Sequence, residues 1–136
     1  MRVVLDTNVL VSALLSAHGP PASIYRAWIQ RRFVLLTSAS QLKELQRTLK
    51  KPALAARIRP HSIGTLVNRL KRRAEVVSAL PSIDRSPDPD DNLILAIAEA
   101  GRAAYLVSGD RSGLLALVRH RSTRIVSPAG FERILG

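Results

Sequence analysis

Hydrophobic positions along the chain fall into two alternating periods. Short, nearly unbroken and mostly β-branched apolar runs at Arg2–Leu5, Phe33–Thr37, Glu75–Val77, Ala104–Val107 and Arg124–Val126 predict five strands. Between them, apolar residues recur at helical spacing and predict helices at about Asn8–Ser16, Pro21–Arg31, Ser38 or Ser40 to Leu49, Pro52–Arg57, His61–Arg73, Asp90–Ala100, Ser112–Val118 and Pro128–Leu135. Pro21 stands where a missing N–H costs a helix nothing, and Gly101 supplies the stop for the segment that begins with acids in its first turn. The stretch from Leu80 to Pro89 holds three prolines and reads as a connector. Strands that alternate with helices, each strand apolar on both faces, imply a parallel sheet covered on both sides: an α/β fold, a three-layer α/β/α sandwich with about five strands.

Length and composition narrow this further. The chain has 136 residues, 46% of them hydrophobic, which suits a single domain spanning residues 1–136 with one substantial core. It has no cysteine and only three histidines, which removes thiolate zinc sites and makes a histidine-rich centre a poor fit. Asp6 arrives too early for a signal peptide's apolar segment, and no run reaches the ~18 apolar residues of a membrane span, so a cytoplasmic location is expected. Twenty-one Lys and Arg against 10 Asp and Glu leave a net charge of +11, which points to a polyanionic partner.

Against that basic field, four acids occupy the places where an α/β sheet builds sites. In right-handed β-α-β units, the C-terminal ends of strands and the N-termini of the following helices share one edge. Asp6 follows the first strand, Asp110 follows the strand at Ala104–Val107, Asp91 opens the helix before it, and Glu44 lies on the helix after the second strand. Each residue has a plainer reading: Asp6 as a helix cap, Asp91 as a dipole acid like Asp88 and Asp90, Asp110 as a turn acid beside Gly109, Glu44 as a solvated charge near Lys43 and Arg47. Four carboxylates in one cleft would repel without a divalent cation, and an all-oxygen set suits Mg²⁺ or Mn²⁺ over zinc. Basic residues cluster in three places, at Lys43, Arg47 and Lys50 or Lys51, at Arg69, Lys71, Arg72 and Arg73, and at Arg119, His120, Arg121 and Arg124. They are expected to form phosphate-contacting rims around the cleft, with Lys43, Arg47, Arg72 and Arg73 as the leading candidates to bind a polyanionic strand. Trp28 and Phe33 are expected in the core.

Four segments taken together resemble a known family. Asp6-Thr7-Asn8-Val9-Leu10-Val11, Ser38 through Leu42 to Glu44-Leu45, Asp88-Pro89-Asp90-Asp91-Asn92 leading into Leu95-Ala96-Ile97-Ala98, and Leu106-Val107-Ser108-Gly109-Asp110 are similar, in content and order, to PIN-domain proteins. The nearest likeness is to the toxin-type PIN ribonucleases of prokaryotic toxin–antitoxin systems. The resemblance covers essentially the whole chain. It implies a Mg²⁺- or Mn²⁺-dependent endoribonuclease with a catalytic, metal-holding set of Asp6, Glu44, Asp91 and Asp110, with Asp88 or Asp90 able to share metal duties. Thr7, Asn8 and Ser108 fall at positions that orient these acids or bound water. The resemblance further implies RNA and a small antitoxin protein as partners, and a homodimer. Two other readings remain: a catalytically inactive RNA-binding or antitoxin-partnered scaffold, and an aspartate-based phosphohydrolase. Asn8 and Ser127-Pro128 speak against the phosphohydrolase, because they stand where its second Asp or its Lys would be needed.

Overall fold

Alternate residues of each central strand face opposite layers, and this divides the core in two. The computed structural model describes residues 1–136. On β1 (Arg2–Leu5), Val3 and Leu5 enter one cluster of 18 buried residues, whereas Val4 enters a second cluster of 10. Leu35 and Leu36 on β2 (Val34–Thr37), and Val107 and Leu106 on β4 (Tyr105–Val107), divide in the same way. The unbroken apolar runs that mark these segments as strands are therefore also what fills both faces of the sheet.

The larger face is covered by α1 (Thr7–Leu15), α2 (Pro20–Ile29), α3 (Ala39–Leu49), α5 (Pro60–Arg73) and α8 (Pro128–Leu135), through side chains such as Leu10, Trp28, Leu45, Leu70 and Phe131. The other face is covered mainly by α6 (Pro89–Ala100), whose Ile94, Leu95, Ile97 and Ala98 are buried. Two short helices, α4 (Pro52–Ala55) and α7 (Leu114–Leu117), complete the set. No helix is long and apolar enough to cross a membrane.

The sheet has six strands in the order β3-β2-β1-β4-β6-β5, with β3 at Glu75–Val76, β5 at Arg119–His120 and β6 at Thr123–Val126. Every neighbouring pair is parallel except β5 and β6, which form a terminal antiparallel hairpin. The three-layer α/β/α sandwich is as expected, with one strand more than the apolar runs indicate. β5 has two polar residues and follows Val118, whose φ of 64° reverses the chain, so hydrophobic periodicity carries no trace of it. A second departure concerns His120. Instead of joining a basic rim it is buried, its Nε2 paired with Glu99 Oε1 at 2.9 Å and its Nδ1 facing Arg85 Nη1 at 2.9 Å. An arginine can only donate, so Nδ1 accepts and Nε2 carries the proton.

β1 leads to β2 on one side and pairs with β4 on the other, so the order of strands reverses between β1 and β4. In open α/β sheets the crevice beyond the strand ends at such a reversal is where ligands bind. Asp6 and Ser108, each the residue after its strand, stand on either side of it.

Candidate active site

Asp6 occupies the N-cap position of α1 but does not cap it; no side-chain cap hydrogen bond forms. Its Oδ2 instead accepts from the Ser108 hydroxyl at 2.9 Å, across the reversal from β4. The pairing has a structural cause, since the backbone N–H of Asp6 donates to the Val107 carbonyl at 2.9 Å and holds the two strand ends in register. Asp6 is 9% exposed, and burial pushes its carboxyl above the ordinary range. The Ser108 hydrogen bond opposes this shift, and the charge of Asp91 adds to it.

The three acids at the start of α6 have separate roles. Asp88 is the N-cap, its Oδ1 accepting from the Asp90 N–H at 2.9 Å. Asp90 is exposed and lies close enough to Glu44 for its charge to be felt there. Asp91 is buried, with Oδ2 accepting from the Ser86 hydroxyl at 3.0 Å, and its carboxyl is raised by burial and by the charges of Asp88, Asp110 and Asp90, against the pull of Ser86. Successive helical residues point about 100° apart, so the three acids face different directions and only Asp91 turns inward. Ser86 also accepts from the Asp88 N–H at 3.1 Å. Asn92 clamps the same loop, taking the N–H groups of Arg85 and Ser86 on its Oδ1 and donating to the Ser86 carbonyl.

Glu44 reaches the cleft from α3. Its Oε2 is buried without a hydrogen-bond partner. Burial raises its carboxyl, as do the charges of Asp90 and Asp6, while Thr7 and Arg47 pull it down. The helix that carries it is fastened at its start: Ser38 caps it by accepting from the Gln41 N–H at 3.1 Å, and Gln41 Nε2 donates to the Leu5 carbonyl at 2.8 Å. Gln41 also accepts from Thr37 and touches Thr7 Oγ1 at 3.5 Å, which ties β1, β2 and α3 together beneath the acids.

Asp110 is the fourth acid and the least committed to the centre. Its Oδ1 accepts from the Gly113 N–H at 3.1 Å and the Ser112 hydroxyl at 3.2 Å, the bonds of a turn acid. Its Oδ2 nonetheless borders Asp91: a Cβ placed on Gly113 would collide with Asp110 Oδ2 and stand 3.2 Å from Asp91 Oδ2. Asp6, Asn8, Gly109 and Asp110 also line a shared depression of about 330 Å³. The structure thus brings all four predicted acids to one edge, linked by mutual repulsion. As placed, no three of them close on a single point that would hold an ion.

A divalent cation fits this set by its chemistry. Every donor is a hard oxygen, three of the four carboxyls are lifted by burial and by one another, and one buried carboxylate oxygen lacks any partner. A domain profile for the PIN domain matches residues 2–112. The chain belongs to the PIN-domain family. This PIN protein is 27% identical, over 112 residues, to an uncharacterised protein of Methanocaldococcus jannaschii, covering 82% of this chain and 72% of that one. The crystal structure of FitAcB from Neisseria gonorrhoeae shares the fold, with a TM-score of 0.53 at 16% identity over 93% of this chain and 98% of that one. PIN domains are in general nucleases that use divalent metals, which agrees with the oxygen-rich cleft.

Lys43 and Arg47 lie exposed on α3, the helix that carries Glu44, and Arg47 is near enough to influence it. Arg72 and Arg73 do not join this rim. They end α5 immediately before β3, so they sit where strands begin, beside Met1 and Val34. Chain direction decides the matter, because a helix that leads into a parallel strand must finish at the opposite edge from the strand's end. Sequence reasoning missed Ser86 and Gln41. A lone serine in a proline-rich connector, and a glutamine one turn into a helix, carry no pattern that could have found them.

Proposed function

We propose that this PIN protein is an endoribonuclease dependent on Mg²⁺ or Mn²⁺, with Asp6, Glu44, Asp91 and Asp110 as its metal-holding residues. The observation that carries the reading is the gathering of four repelling carboxylates, one with a buried orphan oxygen, at the sheet's reversal point in a chain of net charge +11. A bound divalent ion at such a centre acidifies a water and screens the phosphodiester charge. The protein's own residues supply position. Ser108 fixes Asp6, Ser86 fixes Asp91, and the Gln41 clamp fixes the helix that bears Glu44. Asp88 is occupied by its capping bond, which leaves Asp90 as the acid that could assist from the rim. Thr7 and Asn8 border the same acids, and Lys43 and Arg47 would draw the RNA backbone to the cleft. Attack by water with departure of the 3′-oxygen leaves 5′-phosphate and 3′-hydroxyl ends.

The test is cleavage of single-stranded RNA by the full chain with Mn²⁺ and with excess EDTA, alongside Asp6→Asn, with the product ends identified. Activity that survives EDTA, or that Asp6→Asn retains in full, overturns the proposal. A scaffold whose acids no longer catalyse is favoured by one feature, the engagement of Asp110 in its own turn, and inactivity of the folded wild-type chain with both metals would establish it. The role of a toxin with a small antitoxin partner and a homodimeric assembly rest on the motif resemblance, and a cytoplasmic setting rests on the composition alone. Co-expression with the neighbouring reading frame, followed by measurement of the mass of the resulting complex, tests the partner and the assembly.

A further inference from the structure

At the edge where strands begin, four arginines close around one depression of about 440 Å³: Arg31, Arg32, Arg72 and Arg73. No acidic side chain lines it, and its floor is apolar, with Val34 41% exposed and Met1 49% exposed. Two of the guanidiniums are fixed by backbone carbonyls. Arg73 Nη2 donates to Ile29 at 2.9 Å, and Arg32 Nη2 donates to Leu135. Arg31 and Arg72 are exposed and have no protein partner. Arg31 also holds φ at 62°, directly after the C-cap of α2, where glycine or asparagine is the easy residue. A strained backbone that carries a free arginine into a pocket is the kind of local cost that a binding site sustains.

We infer that this pocket is a second anion site, separate from the carboxylate cleft, and that it binds a phosphate-bearing ligand, either a free nucleotide-sized molecule or a phosphate of a nucleic-acid backbone. Charge density favours phosphate over carboxylate. A terminal phosphoryl group offers three acceptor oxygens and up to two charges to guanidiniums converging from different elements, whereas a carboxylate offers two oxygens and one charge. A backbone phosphodiester carries a single charge on two free oxygens, but successive groups along a strand present several such charges to the four arginines. The pinned pair, Arg32 and Arg73, is preorganised, and the free pair can fold over the ligand. The volume suits a small ligand, and the apolar floor suits a ring beside the charged group. The site does not depend on the nuclease reading, since it shares no residue with the acids.

Titration calorimetry at low salt with the full chain tests the site, using inorganic pyrophosphate, a ribonucleotide decamer and a hexaglutamate peptide as probes. Arg31→Asn/Arg72→Gln removes the two free guanidiniums, and asparagine relieves the backbone at position 31. Arg57→Gln/Arg59→Gln makes the same charge change at exposed residues away from the pocket. The expected result is a loss of about tenfold or more in phosphate affinity for the first variant and little change for the second. Dependence of pyrophosphate binding on the pocket identifies a free ligand as the source, and dependence of decamer binding alone identifies a nucleic-acid backbone. Equal losses in both variants would reduce the pocket to part of a diffuse basic field. Tighter binding of hexaglutamate than of either phosphate probe would reassign it to acidic peptides. Absence of binding by every probe would overturn it outright. A cleavage assay with Mn²⁺ on the same variants keeps this outcome apart from that of the acidic cleft.

Discussion

The two ends of strand β1 lie roughly 10 Å apart and carry opposite kinds of electrostatics. Where the strands end, Asp6, Asp91, Asp110 and Glu44 face one another with no basic side chain bonded to any of them, and burial with like charge raises three of their carboxyls. Where the strands begin, Arg2 reaches over β2 to β3, donating from Nη1 to Glu75 Oε1 at 3.0 Å, and holds that carboxylate below its ordinary range. Its Nε also donates to the Gly101 carbonyl at 2.7 Å. The carboxylate at the second edge is paired within the protein, and those at the first are not. Basic residues outnumber acids two to one, so counter-charges were available for the first edge too. Acids left unpaired under those conditions are what the proposed metal site requires.

The sharpest way to break this comparison is to remove one unpaired acid. Asp6→Asn or Asp91→Asn should lower RNA cleavage by about a hundredfold or more while the far-ultraviolet circular dichroism is unchanged, because each removes a charge with little change in shape. Asp90→Asn should cost less, since Asp90 stands at the rim, and Asp88→Asn less still, since Asn also caps helices. Cleavage rates that rank Asp88→Asn or Asp90→Asn as more damaging than Asp91→Asn would mean that the inward-pointing acid of α6 is not the working one.

Next in size is the thermal effect of metal. Mn²⁺ at ~100 times its dissociation constant should add about 2.7 kcal/mol to the folded state, read as a Tm higher by several degrees. The metal-free protein should show the converse in its pH dependence. A carboxyl raised on folding leaves stability intact below its unfolded value, near 3.8 for Asp and 4.5 for Glu, and costs stability as pH climbs through the raised value. Apo Tm should therefore fall from about pH 4 towards neutrality relative to Asp6→Asn, which removes one of these groups. Calorimetry in which the wild type and Asp6→Asn show the same pH profile would deny that Asp6 carries this cost.

The contrast between edges also shows what a sequence can and cannot disclose. Apolar runs locate both cores and five of the six strands, because in β1, β2 and β4 burial on two faces leaves few choices of residue, while β3 and β6 keep valine or isoleucine although they are partly exposed. The acids are legible through strand and helix ends, where chain direction forces convergence. The same rule, applied to α5, places Arg72 and Arg73 at the other edge, but a cluster of basic residues shows only its density and not which end of the fold it occupies. His120 looks like one more cation because its burial depends on Glu99, Arg85 and a hairpin with no apolar signal. Ser86, Ser38 and Gln41 act through single hydrogen bonds, which impose no periodicity at all.

RNA affinity sharpens the comparison at a smaller scale. Neutralising Lys43 and Arg47, beside Glu44, should weaken binding several-fold and reduce the slope of log affinity against log salt by about 0.7 for each phosphate that is no longer neutralised. Removing Arg72 and Arg73 should leave cleavage of a short RNA unchanged, because they stand at the far edge. Fluorescence anisotropy over a salt series, with a cleavage assay beside it, checks both. Equal losses of cleavage in the two pairs would mean that the overall charge, and not the position of the cations beside the acids, governs access to the cleft.

The smallest expected effect lies at the paired edge. Glu75→Gln keeps the shape of the side chain and removes its charge, so Arg2 keeps its bond to Gly101 and loses its ion pair. Both partners are well exposed, 38% and 47%, and solvent screens such a pair, so the loss should be under about 1 kcal/mol and should shrink further at high salt. Its pH dependence must run opposite to that of the acid cleft. A carboxyl lowered on folding contributes above its unfolded value, near 4.5, and the contribution disappears as pH falls through the lowered value, so wild type and Glu75→Gln should differ at neutral pH and converge in acid. Asp6→Asn and its parent should also converge in acid, but at neutral pH the signs differ: the Asp6 variant gains stability and the Glu75 variant loses it. A shared sign would mean that one of the two carboxyls is not governed by its neighbours in the way the two edges require.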